Sequence, residues 1–298
     1  MNWLIVKLGA TGDVVRTTPL LRRLNGEVTW LTASKNVVLL QDLKQPLRCL
    51  SWEQRESVRD ECYDLIINLE DTAEVGSFVK TIECDELFGA YVDSANELRY
   101  TDSSRRWFDL SLISTHGRLK ADRLKLQNRH TYQDLIFGGL GLRFCGEQYL
   151  LPESSETGLT GDVAISPEAG PVWPMKKWAY YDELKHMLEI RGLKVNVLRQ
   201  RPTLLEHMSD VRNHRCLVGG DSLPMHFALG TGTRCVTLFT CTSPWEIHDY
   251  GIQHKLISPL LEEYFYKREY DHRATTAISP DEVFNAVMGQ LKVASVTV

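Results

Sequence analysis

The sequence has no long hydrophobic run, since no apolar stretch approaches the roughly 20 residues that a membrane-spanning helix needs. Its first apolar run, Trp3 to Val6, reaches Lys7 too soon to form the core of a signal peptide. We therefore expect a cytoplasmic protein with at most a peripheral association with membranes.

Paired cysteines are also absent. Seven cysteines are scattered along the chain, and no two of them form a C-x-x-C motif. An odd number of dispersed cysteines without an export signal is typical of reduced, mostly buried thiols. We expect neither a disulfide framework nor a zinc site.

The chain also lacks an excess of positive charge. The chain carries 34 Lys and Arg against 39 Asp and Glu, for a net charge of −5, which provides no overall field for nucleic acid. A local exception lies between Arg99 and His130, where eight basic side chains face three Asp. This surface suits an anionic partner, although a solvated face without a ligand explains it equally well.

What is present is the composition of a two-domain globular protein, with 298 residues of which 43% are hydrophobic. In the first half, short apolar runs alternate with amphipathic stretches, as in βα units that form a parallel sheet. The pattern predicts strands at 3–8, 28–31, 47–50 and 64–69, helices at 14–24, 36–43 and 131–137, and a hairpin at 87–92 and 97–101.

A polar segment at 151–161, rich in Ser, Gly and Thr, predicts a linker. After this segment the alternation of strands and helices resumes. The pattern predicts strands at 163–166, 195–198, 216–218 and 235–239 and helices at 178–190, 204–211, 224–229 and 280–291. We therefore expect two Rossmann-like doubly wound α/β domains, 1–152 and 162–298, facing an interdomain cleft. Whether the last helix packs back on the first domain stays open.

The loop after the first predicted strand runs from Lys7 to Pro19 and reads KLGATGDVVRTTP. It is neither the G-x-G-x-x-G fingerprint nor the G-x-x-x-x-G-K-[ST] phosphate loop. Its glycines nevertheless allow a sharp turn at the carboxyl end of a strand, where open α/β sheets bind ligands. Asp13 is explained either as a helix N-cap or as a general base at that edge.

Three loops of the second half also follow predicted strands. Gly219 to Ala228 combines a glycine pair with an Asp-Ser cap and a proline at a helix start, an arrangement suited to a diphosphate. Pro171 to Trp178 contains two adjacent lysines, either simply surface residues or, for one of them, a phosphate contact. Thr237 to Glu246 runs into a hydroxyl-rich loop. All four loops are expected at the same carboxyl edges.

Together these loops resemble glycosyltransferase family 9, the ADP-heptose:lipopolysaccharide heptosyltransferases and their relatives. The family has a Gly-Asp-Val loop, a Trp-Pro-x-Lys-x-Trp segment, an Asp-Ser/Thr-Gly-x-x-His helix start and a Phe-Gly-Pro-Thr-x-Pro loop. The corresponding stretches are Gly12-Asp13-Val14, Trp173 to Trp178, Asp221 to His226 and Phe239 to Pro244.

The resemblance implies a GT-B fold and an inverting, metal-independent transfer of a sugar from a nucleotide-sugar. In the family this donor is ADP-heptose, and the resemblance implies the same donor here. It implies no cofactor beyond that co-substrate. It makes Asp13 the catalytic base and Lys176 the lysine on the donor phosphate, with the donor-binding turn formed by Asp221, Ser222, Leu223 and His226. We expect an anionic glycan, protein or small-molecule acceptor near Gly12, Arg16, Arg105 and Arg106.

The chain also departs from the family pattern. Leu223 replaces a glycine, Thr240-Cys241 replace Gly-Pro, and Arg199 to Pro202 stand where a Gly-Gly-x-x-Glu loop is common. A non-catalytic relative that binds a nucleotide-sugar or glycan is the alternative. An oxidoreductase is disfavoured because the dinucleotide fingerprint is missing.

Overall fold

The structure, a computed structural model, describes residues 1–294 and the side chains of 1–292. The last four positions of the predicted 162–298 domain, 295–298, lie outside the described residues. The chain divides into two compact units, with the boundary between Glu153 and Ser154.

The first unit is built from strands and mostly short helices. Its strands are β1 (Asn2–Val6), β2 (Glu27–Thr32), β3 (Arg48–Ser51), β4 (Cys62–Asn68), β5 (Glu83–Val92) and β6 (Leu98–Tyr100). Its α-helices are α1 (Thr11–Thr17), α2 (Ala73–Val79), α3 (Arg105–Phe108), α4 (Arg118–Gln127) and α5 (Tyr132–Gly139).

The six strands form one sheet in the order β3-β2-β1-β4-β5-β6. All neighbours pair in parallel except β5 and β6, which form the predicted hairpin. Apolar side chains cover both faces, with Ile5 and Ile67 in one buried cluster and Leu4 and Ile66 in the other. Because the chain order reverses between β1 and β4, the carboxyl ends of these two strands mark the point where such sheets bind ligands.

The second unit repeats this plan with five strands. They are β7 (Gly161–Ser166), β8 (Val195–Val197), β9 (His214–Gly220), β10 (Arg234–Phe239) and β11 (Gln253–Ile257). Its helices are α6 (Tyr181–Ile190), α7 (Leu204–Arg212), α8 (Leu223–Thr231), α9 (Leu261–Tyr264), α10 (His272–Thr276) and α11 (Pro280–Ala294).

All five strands are parallel, in the order β11-β10-β9-β7-β8. The reversal here falls between β7 and β9. The last helix, α11, packs on β9, β10 and α6 of its own unit. Two doubly wound sheets, parallel except for the edge strand β6, confirm the predicted α/β class.

The first predicted helix, 14–24, is wrong in its bounds. It begins three residues earlier, at Thr11, and ends at Thr17, where a 3₁₀ turn over Thr18–Arg22 follows. Pro19 has no N–H with which to continue the α-helical ladder, so the chain tightens instead.

Two other helix predictions need correction. The segment 36–43 forms only a 3₁₀ turn, Ser34–Leu39, because the side chain of Asn36 is fully buried in hydrogen bonds to a neighbouring loop. The helix predicted at 178–190 begins at Tyr181, since Trp178 is anchored outside it by a bond from its Nε1 to the carbonyl of Ile278.

The cysteines are all free thiols, but fewer are buried than predicted. Cys216, Cys235 and Cys241 are buried, whereas Cys62 and Cys145 are exposed. The buried three lie in or directly after strands of the second sheet, where small apolar side chains pack well.

In the described part of the chain, none of the helices combines the length and apolar character needed to cross a bilayer.

Candidate functional site

Asp13 lies at the carboxyl end of β1, beside the chain reversal of the first sheet. It is the third residue of α1, and the cap position is occupied by Ala10, whose carbonyl accepts the N–H of Asp13 at 2.9 Å. The N-cap interpretation of Asp13 is therefore wrong, because the helix starts before it. Its carboxylate Oδ1 lies 2.9 Å from Nη2 of Arg16, with about a third of the side chain exposed.

Arg16 is held between aromatic rings. Its guanidinium carbon lies 4.1 Å from the ring centre of Tyr132 and 5.6 Å from that of Trp107. Its carbonyl oxygen accepts a 2.9 Å bond from the side-chain amide of Gln133. Cation–π contacts with the two rings hold the guanidinium beside Asp13.

The other predicted acceptor residues lie on α1 and α3. Gly12 is the second residue of α1, and Arg105 and Arg106 are exposed on α3, directly before the Trp107 that stacks on Arg16. Arg105 approaches Asp102 at 3.7 Å, an exposed contact that contributes little.

Part of the basic surface between Arg99 and His130 is neutralised locally. Arg99 pairs with Asp93 and Glu97, and Arg118 pairs with Asp122. In the same surface, the ammonium of Lys125 lies 5.7 Å from the ring centre of Trp107, which also contacts Arg16.

Sequence reasoning missed two charged residues near Asp13. Glu70, two residues after β4, accepts a 2.7 Å bond from the ammonium of Lys7, at the end of β1. The same carboxylate oxygen accepts the backbone N–H of Leu8 at 2.9 Å and of Gly9 at 3.3 Å. Only the parallel pairing of β1 with β4 reveals this contact, because the residues are more than 60 positions apart.

The second site lies at the reversal between β7 and β9. The ammonium of Lys176 donates to the carboxylate of Asp221 at 3.0 Å and to its backbone carbonyl at 2.5 Å. The hydroxyl of Thr242 donates to the same carboxylate oxygen at 2.9 Å. Three of the singled-out loops thus converge on one carboxylate, and Thr242 is a partner that sequence reasoning did not identify.

The electrostatics of this cluster favour a charged pair. Burial alone would raise the pKa of Asp221, but Lys176 and His226, with the hydrogen bonds from Lys176 and Thr242, lower it to about 2. Asp221 is therefore ionised at neutral pH, and it holds the ammonium of Lys176 at a fixed position.

The glycine pair before Asp221 is explained by close packing. A Cβ on Gly219 would lie 3.0 Å from the carbonyl oxygen of Ser166, and one on Gly220 would lie 3.1 Å from that of Lys176. The absence of side chains lets the turn that carries Lys176 approach the end of β9.

The helix after Asp221 begins as predicted but is capped differently. Ser222 occupies the N-cap position of α8, yet its side chain makes no capping hydrogen bond. Leu223 is half-buried at the first helical position, and His226 is buried one turn on. Since the serine hydroxyl does not cap the helix, the first turn is suited to an anion.

The loop after β10 packs against the turn that carries Lys176. The hydroxyl of Thr240 donates to the carbonyl of Met175 at 2.7 Å, and Cys241 is buried against Met175. These contacts place Thr242 against Asp221 although the family's Gly-Pro is replaced here. Within the described residues, His, Cys, Asp and Glu side chains form no group of three or more that could hold a metal ion.

No family model matches the chain, and no curated protein matches it in sequence. Several solved structures, however, match over almost the whole length.

One is a glycosyl transferase family 9 protein from Veillonella parvula DSM 2008, with a TM-score of 0.67 and 15% identity over 98% of this chain and 97% of that one. Another is the E. coli ADP-heptose lps heptosyltransferase II, with a TM-score of 0.68 and 14% identity over 99% and 100% of the two chains. The E. coli heptosyltransferase WaaC, solved with ADP, gives 0.62 and 14% over 97% and 100%. The predicted likeness in fold to family 9 structures is confirmed.

Proposed function

We propose that the chain is a glycosyltransferase that moves a sugar from a nucleotide-sugar to a hydroxyl acceptor with inversion. One observation carries the proposal: each sheet presents a polar site at its chain reversal, a carboxylate in the first unit and a half-buried lysine–aspartate pair in the second. A transferase that uses a diphosphate leaving group needs a base for the acceptor and a cation for the phosphate.

The second unit is the proposed donor site. Lys176 uses two of its N–H groups on Asp221, which leaves the third for a phosphate oxygen. The first turn of α8, with Ser222 and Leu223, adds backbone N–H groups and the positive end of a helix dipole. One of the matching structures is an ADP-heptose lps heptosyltransferase, and we propose the same class of donor here.

The first unit is the proposed acceptor site, with Asp13 as the base. The acceptor hydroxyl gives its proton to the Asp13 carboxylate while its oxygen bonds to the anomeric carbon. The bond from that carbon to the diphosphate breaks, and the diphosphate leaves with the electron pair. Gly12, Arg16, Arg105 and Arg106 would contact an acceptor that carries phosphate or carboxylate groups.

A thermal-shift screen tests the proposal at the donor site. We expect one of the ADP-, GDP-, UDP- or dTDP-sugars to raise the melting temperature, because a ligand that binds only the native state stabilises it. Transfer from that donor should continue in EDTA, since Lys176 takes the place of a metal. Failure of every donor to shift the melting temperature would contradict the proposal, and binding without turnover across an acceptor panel would indicate the non-catalytic relative.

Charge reversal on α3 tests the acceptor site. We expect the R105E/R106E variant to raise the KM for an anionic acceptor by about tenfold or more, because four units of charge change where the acceptor binds. Steady-state kinetics at low salt measure this, with K185E/R191E on the second unit as the matched control. An unchanged KM would identify Arg105 and Arg106 as a solvated face.

A further inference from the structure

We infer that Glu70 is a positioning residue for Asp13: it fixes the loop that leads to Asp13 and, through Lys7, balances the charge around its carboxylate. This inference rests on the proposed function, in which Asp13 is the base. Glu70 lies outside the motifs that first pointed to a site, and Lys7 is the first residue of one of them but was given no role there.

Glu70 holds the loop that follows β1. One oxygen of Glu70 accepts three donors: the ammonium of Lys7 and the backbone N–H groups of Leu8 and Gly9. These are the residues by which the chain leaves β1. The loop that precedes α1 is therefore fastened to the end of β4, across the chain reversal of the sheet.

Asn36, in the 3₁₀ turn that follows β2, holds the same loop from the other side of β1. Its side-chain amide donates to the carbonyl of Leu8 at 2.7 Å and accepts the hydroxyl of Thr11 at 2.8 Å. Asn36 is fully buried, so this bridge is shielded from water. With Leu8 bound through both its N–H and its carbonyl, α1 starts at a fixed place, and Asp13 follows two residues after Thr11.

The ammonium of Lys7 links the charge of Glu70 to that of Asp13. Lys7 is almost fully buried, and burial by itself would lower its pKa, yet the charges of Asp13 and Glu70 outweigh burial and raise that pKa. A buried ammonium is stable only with such anionic partners. Lys7 is therefore paired directly with Glu70 and is also attracted by the charge of Asp13.

Two further groups interact with Asp13, Arg16 on its own helix and Tyr132 on α5. Arg16 pairs directly with Asp13. Burial raises the pKa of the Tyr132 phenol, whose hydroxyl bonds to that of Thr17 at 2.8 Å. Both groups remain in every variant below, so they contribute equally to each.

Two isosteric variants separate charge from shape. E70Q keeps the oxygen that accepts from Leu8 and Gly9 but removes a negative charge, which makes ionised Asp13 more favourable. K7M removes a positive charge, which makes it less favourable. Because a base acts only when it is deprotonated, the acid limb of the kcat–pH profile is expected to move to lower pH in E70Q and to higher pH in K7M, by about one unit each.

The controls use the same chemistry elsewhere. E74Q removes an exposed carboxylate four residues along and should leave the acid limb in place. E70A, which also loses the hydrogen-bond acceptor, should reduce kcat by about tenfold or more relative to E70Q, while donor Kd, measured by titration calorimetry, stays the same in all variants.

Shifts of opposite sign support the inference, because a merely structural role would lower activity without moving the two profiles apart. Shifts of the same sign, or none, with donor binding intact, overturn it. If the Asp13→Asn variant is inactive and E70Q is unshifted, the inference alone fails. If Asp13→Asn keeps full activity, the proposed function loses its base.

Discussion

The Asp13→Asn variant is expected to lose about three orders of magnitude in kcat while its donor Kd stays unchanged. An amide of the same shape cannot accept the proton of the acceptor hydroxyl, and general base catalysis contributes about 10²- to 10⁴-fold. The donor Kd is spared because the Lys176–Asp221 cluster belongs to the other unit. Arg16 loses its ion pair in this variant but remains stacked on Tyr132 and Trp107.

Single-turnover transfer and titration with the donor measure the two quantities separately. Asp60→Asn, an equal change at an exposed position of the same unit, should behave like the wild type. Transfer at the wild-type rate by Asp13→Asn would refute the base assignment. A loss of donor affinity would instead indicate that the change reaches beyond the acceptor site.

The Lys176→Ala variant is expected to weaken donor binding by about 10- to 100-fold. A hydrogen bond to a charged group is worth about 1.5–3 kcal/mol, and this variant removes a cation from the diphosphate. It also leaves the buried Asp221 without its main counter-ion, so the melting temperature should fall as well.

A second substitution separates the two effects. Lys176→Ala combined with Asp221→Asn removes both charges, so the melting temperature should recover while the donor Kd stays weak. Lys177→Ala is the matched control, because the neighbouring lysine is exposed and pairs with Glu168. Titration calorimetry and thermal unfolding provide the measurements, and a wild-type donor Kd in Lys176→Ala would show that this lysine does not touch the phosphate.

Much of the fold was predictable because buried parallel strands leave a strong local signal. The apolar runs at 64–69 and 235–239 predicted β4 and β10 within two residues. The weaker strand β11 (Gln253–Ile257) was missed, since it lies at the edge of the sheet and its first three residues are polar, which leaves only Leu256 and Ile257 as an apolar signal.

Helix starts were predicted less well because they depend on distant partners. The sequence favoured Asp13 as a cap, but α1 begins at Thr11, which is bound to Asn36 of another loop. Trp178 has the pattern of a helix residue, yet its indole is anchored to Ile278, 100 positions away.

The arrangement of the site depends on both the local sequence and the tertiary structure. The sequence by itself determined which loops follow strands and which side chains they carry, since alternation and glycine placement are local properties. Only the tertiary structure decided that Thr242 bonds to Asp221 and that Glu70 and Lys7 join beside Asp13. These pairs are set by the lateral order of the strands, which the sequence of each segment does not encode on its own.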